Sequence, residues 1–350
     1  MNNHENYRCA VLFDYPERIP VTFHVNPAVW NAYDQNELCD LLESHPLLFP
    51  DFQRPKLPFV PEYSLNACAA KPYVDPWQCV WTTDCDGITG VVNTHPLADW
   101  ANFAGYVMPD PNETDGTYPL ALAEKHRYVE ACHQCGGLAT LGLPHGHTWL
   151  RLQDIRGYED SVCDLFVEDP NIIRLLGMIE EFNTRVVENL LSLKPDVMCF
   201  AEDLGMQHGP MLSPELFRRY IKPVYRRMMR KSLDQGCMIH MHSDGDIKLL
   251  VDDLLESGVQ VINLQDTVNG VEWIAEKLAQ KVCIELDVDR QNVTVFGSPK
   301  DIDALIRREV SLLGNRRGGL MLVYGFYPGT PLRNAAAVMD AMERYSAYFC

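Results

Sequence analysis

The chain has 350 residues, 47% of them hydrophobic and 22% charged, a balance that suits a large globular domain and excludes a disordered or collagen-like chain. Lys and Arg number 30 against 48 Asp and Glu, for a net charge of −18 at pH 7. That sign argues against nucleic acid or an anionic membrane as the main partner.

The opening MNNHENYRCA has neither the basic start nor the apolar stretch of a secretory signal, and no apolar run approaches the ~18 residues of a membrane span. The expected location is the cytoplasm. The 12 Cys are then expected to be reduced thiols rather than a disulfide framework, with Cys132 and Cys135 two helix cysteines.

In chain order, a first strand is expected over 19–25. The stretch 47–119 is rich in Pro, Gly, Asp and aromatics and includes a hairpin over 78–82 and 88–93 about the turn Asp84-Cys-Asp-Gly87. It reads as an insertion on the main fold or a lid over its mouth. A strand over 137–143 follows, and then the pattern becomes regular. Strands at 196–200, 237–241, 260–264, 282–286 and 319–323 alternate with helices whose starts are legible as Asp169-Pro170, Ser213-Pro214, Ser298-Pro299 and Thr330-Pro331. Each places an N-cap side chain before a proline whose missing N–H costs nothing at the first helical position. Pro223 should kink the helix that begins at Pro214. Repeated β/α units in a chain of this length predict a TIM-like (β/α)8 barrel, one domain over 1–350 with 47–119 covering its mouth. No G-x-G-x-x-G follows a strand, so a dinucleotide fold has no anchor.

In such a fold the chemistry sits at the carboxyl ends of the strands. Those ends carry Glu202 and Asp203, then His240, His242, Asp244 and Asp246, then Asn263, Gln265 and Asp266, then Glu285, Asp287 and Asp289, and finally Tyr324 and Tyr327. In His240-Met-His242-Ser-Asp244 the alternate residues face one side of a strand, roughly 6–7 Å apart. With Glu202 or Asp203 and Glu285 they form a site for zinc or a similar divalent cation; a hydrogen-bonded polar network is the alternative. His145 and His147 also lie at a strand end. Arg218, Lys222, Arg226 and Arg230 recur every four residues, as a solvated helix face or as a docking stripe for an acidic partner.

The stretches HMHSDGDIKLLVDDLLESGVQVINLQ, EDLG with SPELFRRYIKPVYRRMM, and YPGTPLRNAAAVMDAMERY resemble the uroporphyrinogen decarboxylase superfamily. GYEDSVCDLFVEDPNIIRLLGMIEEFN and PWQCVWTTDCDGITGVVNTHPLADW fit its corrinoid-related methyltransferase branch. The resemblance runs from about Asp75 to the end and implies two chemistries: cofactor-free decarboxylation of a porphyrinogen, and zinc-assisted methyl transfer to or from a corrinoid protein or a thiol. The decarboxylases carry an Arg-rich segment after the first strand, whereas VTFHVNPAVWNAY has no Arg or Lys. The thiol-methylating members hold zinc with a His-x-Cys pair and a later Cys. His242 matches that His, but Asp244 replaces the first Cys and LVYGFYPGTP offers no second. A harder, oxygen-rich site suits an ether or amine donor better than a thiolate.

The resemblance thus implies a methyltransferase that moves a methyl group from a small methoxylated or methylamine-like donor to cobalamin on a partner protein. Its metal ligands are expected among His242, Asp244, Glu202, Glu285 and His240. Asp203, His145 and Tyr324 would orient substrate or supply a proton, and His147, Gln265, Asp287 and Tyr327 would bind substrate. The alternatives are a cofactor-free decarboxylase of a small acid and a non-catalytic ligand- or corrinoid-binding barrel.

Overall fold

A computed structural model describes residues 1–349. They divide into two compact units, the first made of Met1–Lys71, Thr83–Gly90 and the segment from Leu264 onward, the second of Pro72–Thr82 and Val91–Asn263. The fold class is the expected one, α/β with parallel strands and intervening helices of the TIM-like kind.

The strands are β1 (Val21–Val25), β2 (Tyr73–Val74), β3 (Val80–Thr82), β4 (Val91–Thr94), β5 (Thr140–Leu143), β6 (Val197–Ala201), β7 (Met238–Ser243), β8 (Val261–Gln265), β9 (Cys283–Asp287) and β10 (Leu320–Phe326). In the first unit β1, β10 and β9 are neighbours in that order, and in the second β7, β6 and β5. The pairs β1/β10, β10/β9, β5/β6 and β6/β7 are parallel. Of the ten strands among the described residues, seven, β1 and β5 to β10, are of the barrel kind, against the eight of a full barrel. The five strands expected in consecutive order are consecutive, each displaced by one to three residues from its expected bounds.

In the second unit β2, β3 and β4 make a small antiparallel sheet, so the expected hairpin forms with a longer connection, Thr83 to Gly90. Asp75, at the end of β2, organises this region. Its Oδ1 accepts the main-chain amides of Trp77 and Cys79, and its Oδ2 accepts the Trp81 indole N–H and a guanidinium N–H of Arg151 at 3.0 Å. Arg151, itself 4% exposed, also lies 3.4 Å from Asp154 and covers the Trp77 ring. A buried guanidinium needs such a full set of anionic partners.

The helices follow their start signals. Asp169 accepts from Asn171 N–H at the head of Pro170–Leu191, which buries Ile172, Leu175, Leu176, Ile179, Phe182, Val186, Val187 and Leu190 at helical spacing. Ser298 and Asp301 form a capping box for Pro299–Leu313. Thr330 departs from expectation: the helix Leu332–Ser346 has no side-chain cap, and the Thr330 hydroxyl lies 3.5 Å from that of Tyr324. Pro223 acts on the turn before it, where Phe217–Ile221 is a π-helical segment leading into Lys222–Asp234. With no N–H of its own and a ring that displaces an earlier carbonyl, the proline leaves the helix to close a wider turn, Lys222 N–H to Phe217 O.

The described cysteines are free thiols. No helix of the described residues is long and apolar enough to cross a membrane. The basic stripe is largely engaged by acids: Arg218 and Lys222 both bind Asp253, Lys222 also binds Glu256, and Arg230 binds Asp234. It reads as an ion-paired helix face.

Candidate metal centre

Three side chains of the second unit converge at the ends of β5, β6 and β7. A nitrogen of His145, a nitrogen of His242 and a carboxylate oxygen of Asp203 all lie within 4.8 Å of one another, the group among the described residues with the composition of a cation site. Asp203 Oδ1 is 3.1 Å from His145 Nε2 and 3.5 Å from His242 Nε2, and the two rings are 5.6 Å apart at their centroids.

Local backbone chemistry sets this convergence. On β7, Ile239, Met241 and Ser243 are buried on one face, while His240 and His242 are half-buried on the other. The loops after β6 and β7 then lock together. Gly205 N–H donates to Asp244 O, Asp246 N–H to Met206 O, and Leu204 N–H to the Ser243 hydroxyl. Gly205 and Gly245 touch backbone to backbone, and a Cβ on Gly245 would fall 2.2 Å from the Gly205 carbonyl carbon, at φ +80° besides. This contact presses Asp203 against Asp244, whose main-chain N–H donates to Asp203 Oδ1 at 3.1 Å.

The electrostatics follow from the pairing. Burial would raise the Asp203 pKa, but hydrogen bonds and charge from His145 and His242 hold it well below the usual carboxylate range. Burial would lower that of His242, yet bonds to Asp203 and the nearby Asp244 carry it up to about 9. His242 Nδ1 is hydrogen-bonded to Asn263 Oδ1. An imidazole whose Nδ1 is tied to an amide oxygen has Nε2 as the nitrogen able to coordinate, the usual arrangement in metal sites, and here Nε2 faces Asp203 Oδ1. Asn263, expected from the sequence at a strand end, lies in the middle of β8, and its role is not legible there, since a short residue aimed at a neighbouring strand leaves no spacing signal.

The other expected ligands take different positions. Asp244 meets Asp203 through its main chain, and its carboxylate is outside the group of three. His240, one step earlier on β7, has Nδ1 3.3 Å from Cys199 Sγ. Glu202 is fully buried. Its Oε1 accepts the amides of Thr148 and Leu150 at 2.8 and 2.9 Å, and its Oε2 is hydrogen-bonded to the Tyr225 hydroxyl. Burial pushes the Glu202 pKa up to about 8 against the pull of those amides. His147 is buried against Phe200 and Tyr225 with Nδ1 2.7 Å from the Thr148 hydroxyl, and burial pushes its pKa down to about 3, so it is a neutral core imidazole.

The remaining expected residues belong to the first unit. Glu285 is half-buried on β9, and Asp287 binds Arg290 at 2.5 Å. The Gln265 carbonyl accepts from the Asn269 side chain. Tyr324 is fully buried with its ring 5.1 Å from Phe23, whereas Tyr327 is exposed under the Arg290 guanidinium.

Comparison with known proteins agrees with the fold. The chain is 30% identical over 181 residues to uroporphyrinogen decarboxylase of Prochlorococcus marinus (strain MIT 9211), covering 49% of this chain and 50% of that one. It is 26% identical over 154 residues to the enzyme of the same name from Ovis aries, covering 42% and 41%. The chain thus spans about half the length, or less, of the curated relatives it matches. Among solved structures, a methyltransferase from Methanosarcina mazei superposes with a TM-score of 0.61 at 14% identity, covering 99% of both chains, a likeness of fold. The model of the uroporphyrinogen decarboxylase (URO-D) family matches residues 153–345, more than half of the chain and the whole span from β6 to β10; the protein belongs to that family.

Proposed function

We propose that the protein transfers a methyl group from a small methoxylated or methylamine-like donor to a corrinoid held by a partner protein, with a divalent cation at His145, Asp203 and His242. The observation that carries this reading is the grouping of two imidazole nitrogens and one carboxylate oxygen within 4.8 Å, borderline donors that fit zinc and similar ions. The cation would serve as a Lewis acid toward the heteroatom that leaves the methyl group. Asp203 supplies the anionic donor and also holds both rings in reach. Asn263 fixes the tautomer and tilt of His242. The half-exposed His145 side chain opens the group to solvent and hence to substrate. The corrinoid acceptor is taken from the branch that the sequence resembles, while the fold-level likeness to a methyltransferase over the full chain supports methyl transfer as the reaction class.

The matches to decarboxylases favour a second reading, decarboxylation of a small acid without a cofactor. The segment over 21–33 that would hold a polyanion has no Arg or Lys, which argues for the first. Incubating the protein and zinc with a library of methoxylated aromatics and methylamines plus reduced cobalamin, scored by methyl-cobalamin absorbance, separates the two. Methyl transfer abolished by chelation is the expected result. Full activity after exhaustive chelation, or decarboxylation in place of transfer, would overturn the proposal.

A further inference from the structure

Glu202 is one of the strand-end carboxylates expected as a metal ligand, next to Asp203 after β6, yet its side chain is fully buried and its oxygens are committed elsewhere. The helix Trp149–Arg156 begins four residues after His145, and its N-cap, Thr148, makes no capping bond of its own. The Thr148 hydroxyl is instead 2.7 Å from His147 Nδ1. The unpaired amides at the head of this helix need an acceptor, and Glu202 Oε1 takes two of them, from Thr148 and Leu150. Tyr225, also fully buried, holds the other oxygen. Between His145 and this capped end lies Gly146, at φ +77° with its N–H donating to Ala201 O on β6. The Asn183 side chain binds the His147 carbonyl at 2.7 Å. The turn carrying His145 is thus fastened to the strand that carries Asp203, and its firmest tie is the residue before Asp203.

We infer that Glu202 is a positioning residue: it caps the helix after His145 from a neighbouring strand and so sets the distance between the His145 imidazole and Asp203. The inference rests on the metal reading above for its effect on zinc. Charged or neutral, the carboxyl keeps Oε1 as an acceptor, so glutamine serves equally: its carbonyl takes the two amides and its NH2 faces the Tyr225 oxygen.

The test uses the full chain and four variants, Glu202→Ala, Glu202→Gln, His145→Ala and the double variant Glu202→Ala/His145→Ala. Zinc affinity should fall on the order of 10–100-fold in Glu202→Ala, as for other groups that orient a ligand, and return to near wild type in Glu202→Gln. In the His145→Ala background, Glu202→Ala should bring no further loss. Hydrogen exchange of the metal-free chain should quicken over residues 146–151 in Glu202→Ala and stay slow in Glu202→Gln. Should Glu202→Ala not fold, Tyr225→Phe, which removes one tie only, should shift exchange in the same direction by less. A Glu202→Gln variant that loses zinc as fully as Glu202→Ala, or losses that add to those of His145→Ala, would make Glu202 a ligand and overturn the inference. Unchanged exchange over 146–151 in Glu202→Ala would also overturn it. Absence of zinc binding by the wild type would defeat the proposed metal centre alone, since the exchange measurement decides the cap without metal.

Discussion

Asp203 Oδ1 accepts the main-chain N–H of Asp244 at 3.1 Å and faces both imidazoles with the same oxygen. The carboxylate is therefore aimed by the backbone of the next loop as well as by its own strand. Asp203→Asn keeps the shape but loses the charge that both rings require, and His242→Ala removes a donor. Each should weaken zinc binding by more than the roughly 10–100-fold expected for Asn263→Ala, which only orients a ligand. Calorimetric titration with zinc measures the three; equal, negligible effects would return the group to a plain polar network.

Gly245→Ala should destabilise the protein strongly. The left-handed conformation alone costs an alanine roughly 1–2 kcal/mol, and the new Cβ meets the Gly205 backbone, which has no flexible end to give way. Urea denaturation should show a loss of more than that conformational cost. A variant of near wild-type stability would mean that the two loops can part.

Arg151→Ala strips the counter-charge from Asp75 and Asp154 while leaving both carboxylates in place. Breaking a buried pair in this way costs about 3–5 kcal/mol. Burial already pushes the Asp154 pKa up to about 6 against the pull of Arg151, so the loss should ease as pH falls and the carboxyls take up protons. Thermal melts of wild type and variant at pH 5 and pH 8 would compare the two conditions.

Much of this molecule is legible in its sequence because the signals are local. Ser298 and Asp301 or Asp169 and Pro170 specify a helix start within four residues, and alternation on β7 places His240 and His242 on one face without any tertiary knowledge. The site itself is less legible. His145 and Asp203 are 58 residues apart, and which strand-end acid meets the imidazoles depends on how far each loop turns. Glu202 and Asp203 are neighbours that face opposite ways, and only the demand of an uncapped helix elsewhere in the chain decides which is buried. Thr330 shows the same limit: its cap signal is sound, but Tyr324 claims the hydroxyl.

Glu309 sits in the first unit with no exposed surface, its carboxyl hydrogen-bonded to that of Asp266. Burial first, and then the charge of Asp266, raises its pKa well above the ordinary value. A carboxyl raised on folding contributes stability that is full below its unfolded pKa, about 4.3, and is lost as pH rises through the folded value. Wild-type stability should therefore decline as pH rises from the ordinary carboxylate range, and Glu309→Gln, uncharged throughout, should flatten the decline. Melting temperatures across pH 4–9 would show it; parallel curves for the two proteins would mean that Glu309 does not carry the effect.

The helix Trp149–Arg156 is gripped at two places, at its head by Glu202 and along its length by Asp75 through Arg151. Eight residues at 1.5 Å each make a bar about 12 Å long, with His145 just beyond one end and the tryptophan-bearing sheet bolted to its side. Such a bar does not absorb displacement as a loop would. A displacement of the small sheet at Trp81, whose indole shares Asp75 with Arg151, would be carried along the bar toward the His145 turn rather than absorbed by it.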